Sequence, residues 1–406
     1  MIWDSIEHPR SGHALHSTNK AMRKETSAFI STMRIKHLKT DFQWYTRFPK
    51  EAVLKNLIIA FRRQADLRFA TLAIKPRGRE LLNGLRKLTL SSDVSFDIFD
   101  MASISELCPQ MRQLVLGTLD HRMESDAMGA HGPHDTLSPI RRMDLLEELS
   151  LVMDRRHQLI ASFPPKVAVK LWIKDDRTPR ECVLVAVNDG QAGQGELLSP
   201  SMLRSLIFQP RWAQSCGDED VFRGLERMTA LKRLEWLNVG DHDTVTLLGR
   251  ANLASLLLCT NLTHMRLETD IEGDVIVSLL ELPQLETVFL MSIKMSMSDR
   301  PIVLRRPLNA LHLLYQNDFT PLMRIGGRRG ALHIYCGYLG ETCVFRCTSA
   351  ADVIGFNDLV DVLGNDITTA EFSLDLEVSI SRGIDTNALN LRPLLSKVTR
   401  VILVSA

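Results

Sequence analysis

The chain has 406 residues, of which 45% are hydrophobic and 24% charged, and its formal net charge is +1. That balance supplies no global field for nucleic acid, an anionic membrane or acidic substrates, and no apolar run approaches the ~18 residues of a membrane helix. The seven cysteines (Cys108, Cys182, Cys216, Cys259, Cys336, Cys343 and Cys347) are odd in number and mostly set in apolar runs. This suits buried thiols in a reducing compartment better than a disulfide framework.

Residues 1–17 are polar, and MIWDSIEHPRSGHALH has no charged segment followed by an apolar one. It therefore does not read as a signal peptide, and the expected location is cytoplasmic or nuclear. Residues 18–38 read as a basic helix running into a short strand, Met33–Leu38. AVLKNLIIAFRR (52–63) places Leu54, Leu57, Ile58 and Phe61 at i, i+3, i+4 and i+7, which predicts an amphipathic helix. A strand is expected over Leu67–Ile74.

A phrase then begins to recur: an L-x-x-Φ-x-L strand, a return leg and an apolar break. It opens at Leu85/Leu88/Leu90 and continues at Met111/Leu114/Leu116 and Leu146/Leu149/Leu151. Two polar, turn-rich stretches, 118–142 and 172–222, read as insertions; between them Val167/Val169/Leu171/Ile173 alternates as a strand does. The array is most regular from Leu231 to Leu313, with starts at 231, 262, 285 and 308, and Leu253–Leu290 contains the phrase twice. Later strands are expected at Leu332/Ile334, Phe372/Leu374 and Val398/Val401/Leu403, with helical returns at 351–363 and 386–396. The junctions ELCPQMRQLVL, LLCTNLTHMRL, LELPQLETVFL and RMTALKRLEWL agree in phrase and register. A strand plus return leg at a period of 20–30 residues predicts an α/β leucine-rich repeat solenoid, with parallel strands on the concave face and helices on the convex face. The repeat domain is expected over 39–406, after an N-terminal segment at 1–38.

These phrases, their irregular spacing and their Leu-Cys or Leu-Pro junctions resemble the irregular leucine-rich repeats of F-box proteins, particularly the divergent fungal ones, over roughly residues 67–404. HSTNKAMRKETSAFISTMRIKHLK also resembles the end of an F-box running into a first repeat strand. The resemblance implies a substrate-recognition role in a cullin-type ubiquitin ligase. The Leu-Pro-x-Glu-Ile/Leu helix pair that binds the ligase adaptor has no counterpart in residues 1–15. Adaptor binding is therefore expected only with an F-box upstream.

In such an array the apolar strand positions build the core and the positions between them face a partner. Position 3 of successive strands reads Gln113, Glu148, Arg233, His264, Thr287, Ala310; position 5 reads Val115, Ser150, Glu235, Arg266, Phe289, His312. Arg233, Glu235, His264, Arg266, Phe289 and His312 are the expected partner-binding residues, with Phe289 foremost because a large apolar group at a solvent-facing position usually marks a contact.

Other features carry less. CVLVAVNDGQAGQGELL (182–198) lacks both G-x-G-x-x-G and G-K-[ST]. His131, His134 and Asp135 with His121, and His13 with His16, fall in polar loops. Cys336, Cys343 and Cys347 with His333 match no structural zinc spacing. Asp241, Asp243, Asp270 and Asp274 suit turns and helix caps. No catalytic motif is present. A non-enzymatic protein-binding platform is expected, without metal or cofactor and without a nucleic-acid or membrane partner. The alternative is a stand-alone leucine-rich repeat scaffold with no ubiquitin-ligase link; an enzyme using the Gly-rich stretch ranks third.

Overall fold

A computed structural model describes residues 32–35, 54–59, 76–90, 98–118, 138–154, 167–174, 202–209, 220–237, 247–294, 302–304, 306–314, 318–326, 331–334, 342–366, 375–395 and 400–405. They form an α/β protein built on parallel β-pairing and fall into two compact units. The first holds β1 (Thr32–Ile35), β2 (Asn56–Ile59), β3 (Lys87–Leu90), β4 (Gln113–Thr118), β5 (Glu148–Asp154) and β6 (Ala168–Lys174). The boundary falls within β7 (Leu203–Phe208), between Ser205 and Leu206. The second unit holds β8 (Arg233–Trp236), β9 (Leu247–Leu248), β10 (His264–Glu272), β11 (Thr287–Lys294), β12 (Ile302–Val303), β13 (Ala310–Leu313), β14 (Ile325–Gly326), β15 (Ala331–Ile334), β16 (Thr342–Cys347), β17 (Asp375–Ile380) and β18 (Arg400–Ser405). Helices α1 (Pro76–Asn83) and α2 (Ile98–Leu107) belong to the first unit; α3 (Gly273–Leu280), α4 (Thr320–Met323) and α5 (Ala350–Asp366) belong to the second.

In the first unit β1 to β6 lie side by side in chain order, all parallel. Leu57, Leu88, Leu114, Leu149 and Val169 occupy one register line and each is fully buried. In the second unit the order is β8, β10, β11, β13, β15. Leu234, Met265, Val288, Leu311 and Leu332 form one buried line there, and Trp236, Leu267, Leu290 and Leu313 another. A separate parallel sheet, β16–β17–β18, turns Cys343, Phe345, Cys347, Leu376, Val378 and Ile380 into the core. There Phe345 stacks on Phe319 at 5.0 Å and meets Phe356 of α5 edge-on at 4.9 Å. Gly355 lets α5 approach α4 closely, since a Cβ at that position would strike the Met323 carbonyl oxygen.

One local geometry recurs before the strands. The N–H of Leu85, Met111, Leu146, Leu231, Leu262 and Leu285 each donates to the carbonyl three residues back, on Leu82, Cys108, Met143, Met228, Cys259 and Leu282, at 3.0–3.2 Å. Both ends of every such turn are buried. Beyond it, two successive N–H groups share one carbonyl of the preceding strand entry: Thr263 and His264 donate to Lys232, Glu286 and Thr287 to Thr263, and Asn309 and Ala310 to Glu286. The Leu-Cys and Leu-Pro junctions of the sequence are therefore the apolar anchors of a repeated turn. Cys108 and Cys259 fill the slot that Leu82, Met143, Met228 and Leu282 fill elsewhere.

Those thiols behave accordingly. Burial raises the Cys108 pKa well above the ordinary thiol range. Burial, reinforced by the Glu226 and Asp220 carboxylates, pushes Cys259 up to about 12, and burial with Asp352 pushes Cys347 up to about 11. Because the thiolate is the reactive form, Cys108, Cys259 and Cys347 should resist iodoacetamide at neutral pH in the folded chain and react once denaturant is added. Peptide mass mapping checks this, and rapid native alkylation at those three positions would refute their placement in the core.

The structure corrects several sequence expectations. Residues 52–63 were expected as a helix, but Asn56–Ile59 is a strand paired with β3. Leu54 and Leu57 are buried like Leu85 and Leu88, so Leu54/Leu57/Ile59 is the strand phrase itself. A spacing of three suits both a helix face and a turn entering a strand, which made the period ambiguous. Within 172–222, expected as an insertion, Leu203/Leu206/Phe208 carries the same phrase on β7, and all three side chains are buried. Phe372 and Leu374, expected on a strand, lie outside the described residues; the strand described next to them is Asp375–Ile380, with Leu376, Val378 and Ile380 inward. Cys343 and Cys347 belong to β16, a strand not anticipated, where Cys343/Phe345/Cys347 alternate into the core. The return legs are not uniformly helical: those before β8 and β10 contain 3-10 turns, Leu225–Arg227 and Leu256–Leu258. The strand expected at Leu67–Ile74 lies outside the described residues.

Candidate partner-binding face

The expected site residues all lie in the second unit, and strand register brings them into two neighbouring lines. Arg233, His264, Thr287 and Ala310 are aligned across β8, β10, β11 and β13. Glu235, Arg266, Phe289 and His312 are aligned two residues further along the same strands. Side chains alternate between faces along a strand, so both lines stand on the face opposite the buried leucines. β10 shows this cleanly over its whole length, with His264, Arg266, Glu268, Asp270 and Glu272 partly exposed and the residues between them buried.

The tripeptide Arg-Leu-Glu occurs on both β8 and β10, and in each the arginine folds back on the glutamate two residues on. Arg233 Nε donates to Glu235 Oε1 at 2.5 Å, and Arg266 Nε donates to Glu268 Oε1 at 2.8 Å. A second guanidinium nitrogen of each arginine, Nη2, also reaches the same carboxylate. The two partners differ in depth. The Arg233 and Arg266 side chains are 54% and 37% exposed, whereas Glu235 and Glu268 are 10% and 13% exposed. Glu235 was expected to project into solvent. Instead it lies against the sheet under its arginine, because a carboxylate at that depth needs a charged donor to offset its lost hydration.

Phe289 is also less exposed than its strand position suggested. Its ring stacks on His312 with centroids 3.9 Å apart and planes 7° apart. On the β10 side the Arg266 guanidinium carbon sits 5.7 Å from the ring centroid, a cation–π distance. Since β11 lies between β10 and β13, the two neighbours cover opposite faces of the ring. Phe289 therefore presents its edge. Further along β10 and β11, Asp270 accepts from Ser292 Oγ and lies 3.6 Å from Lys294 Nζ.

Glu268, Ser292 and Lys294 were not anticipated as part of this face. The repeated Arg-x-Glu spacing on period-2 strands was the signal that could have located Glu268. Asp274, expected at a turn, occupies the first turn of α3. The Gly-rich stretch 182–198, His13, His16, His121, His131, His134, Asp135, Asp241, Asp243, Cys182, Cys216, Cys336 and the His333 side chain lie outside the described residues. Among the described residues no three His, Cys, Asp or Glu side chains come together as metal ligands, and no helix is long and apolar enough to cross a membrane. Neither a comparison with protein-family models nor one with curated proteins gives a match.

Proposed function

We propose that the chain is a leucine-rich repeat solenoid acting as a non-enzymatic protein-binding platform, with its partner on the face that bears Arg233, Glu235, His264, Arg266, Phe289 and His312. The observation that carries this is the alignment of those residues in two register lines above a buried leucine core. Interfaces draw on such Arg and aromatic anchors, and a parallel sheet with one unit per strand presents them at fixed spacing. By the resemblance of residues 18–38 and of the repeat phrases, its role is substrate recognition in an F-box-like protein of the cytoplasm or nucleus, joining a cullin-type ligase through an adaptor where an F-box is present. A stand-alone leucine-rich repeat scaffold with no ubiquitin-ligase link is the second reading.

The test is partner capture by Phe289→Ala combined with Arg266→Glu. Capture should fall by more than tenfold, a loss of at least about 1.4 kcal/mol. Leu290→Ala, one position away but inward, serves as the control: it lowers stability more and leaves capture by the folded fraction intact. Unchanged capture by the double variant would remove this face from the interface. Co-purification of a cullin adaptor separates the ligase role from the scaffold role.

A further inference from the structure

We infer that the second unit's sheet face takes an acidic, extended segment of its protein partner, with carboxylates seated against Arg233 and Arg266 and an apolar side chain beside Phe289. This rests on the proposed binding face and specifies the chemistry of its partner. The charge on that face is layered. Both arginine side chains are the more exposed members of their pairs, while their neutralising carboxylates, Glu235 and Glu268, lie deeper at 10% and 13% exposure. Each arginine spends Nε and Nη2 on one carboxylate oxygen below it. This fixes the plane of the guanidinium and leaves Nη1 to point away from that partner. An arginine held this way loses little side-chain entropy when it meets a second carboxylate.

The aromatic line adds the same polarity. Arg266 and His312 cover the two faces of Phe289, so the ring offers its edge, the positive end of its quadrupole. His264 stands between Arg233 and Thr287 in the neighbouring line. Beyond it the line steps down to the small side chains Thr287 and Ala310, which sit beside the taller Phe289 and His312. An extended segment laid along that step meets donors at one end and a ring edge on its flank. Along β10, Glu268 is engaged by Arg266, and Asp270 by Ser292 and Lys294, while Glu272 at the strand's end stays partly exposed. Around Arg233 and Arg266 the acceptors lie deeper than the donors, which favours an anionic partner at that end of the face.

Two fluorescein-labelled peptides test the inference on the full chain by polarisation: one of alternating Glu and Tyr, the other of alternating Lys and Tyr. The acidic peptide should bind about tenfold more tightly, with the margin shrinking as salt is raised. Arg233→Glu with Arg266→Glu should reverse the order. Arg233→Lys keeps a cation over Glu235 but not the forked guanidinium, and should weaken the acidic peptide alone while leaving thermal unfolding in place. Equal affinities, tighter binding of the lysine peptide, or binding of neither would overturn the inference. Tighter lysine-peptide binding that is lost in Phe289→Ala would overturn the charge assignment and keep the platform. Binding of both peptides that ignores Phe289→Ala would remove the platform itself.

Discussion

Leu290→Ala should destabilise the second unit by about 3 kcal/mol, within the range of about 2–5 kcal/mol for truncating a buried leucine. Leu290 has no exposed surface and lies between Leu267 and Leu313 in the inner line of β10, β11 and β13. Strands on both sides are held by their own backbone pairing, so the site has little freedom to collapse around the cavity. Chemical denaturation followed by far-UV circular dichroism checks the value. The neighbouring Phe289→Ala removes a ring that stacks on the outer face and should cost about 1 kcal/mol. If the outward position proved as costly as the inward one, the assignment of faces would be wrong.

Asp352→Ala should cost about 3 kcal/mol, the scale for breaking a buried ion pair by removing one member. Its carboxylate accepts from Thr348 N at 2.8 Å and from Thr348 Oγ1 at 2.7 Å, and the Asp352 N–H donates to Ser349 Oγ at 3.2 Å. This is a reciprocal cap on the first turn of α5. Arg324 Nε lies 3.8 Å away, and both side chains are nearly buried. Burial alone raises the carboxyl pKa, but the Thr348 and Ser349 hydrogen bonds and the Arg324 charge outweigh it and hold the group below its ordinary value. A carboxylate depressed in the folded state contributes its stability above the unfolded pKa of about 3.9 and loses it as pH falls through the lower folded value. Wild type should therefore lose its advantage over Asp352→Ala at acid pH. A gap between the two unfolding free energies that stays constant from neutral to strongly acid pH would contradict this.

Much of the second unit was legible because its repeat spacing is a register. The spacings of 31 and 23 residues between strand starts are the spacings between residues paired across β8, β10 and β11, as in Arg233, His264 and Thr287. Leucine at positions 1, 4 and 6 reports burial directly, since one side-chain shape must fit one slot in every unit. Legibility failed where two structures share a period. Leu54/Leu57 satisfies a helix face and a turn-to-strand entry equally. β7 was overlooked because Pro200, Ser201 and Ser205 gave its neighbourhood a loop-like composition while Leu203/Leu206/Phe208 kept the phrase. Cys343 and Cys347 are buried thiols, as expected, but the strand that carries them was not anticipated; their spacing of four on β16 places both on the core face. The same blind spot affected the site. Position along a strand says which face a residue takes, but not how far its neighbours cover it. Phe289 and Glu235 were placed on the correct face, and their coverage by His312, Arg266 and Arg233 depends on residues from other strands and on charge pairing two positions away. Ser349-x-x-Asp352 was a readable cap signature ahead of α5 that the repeat pattern obscured.

The partner-binding face is tested most directly by hydroxyl-radical footprinting of the full chain with and without a captured protein partner. Oxidation should fall at His264, Phe289 and His312 in the complex, while exposed Leu258, on the return leg before β10, stays as reactive as in the free chain. Protection at Leu258 with His264, Phe289 and His312 unchanged would place the partner elsewhere and contradict the assignment.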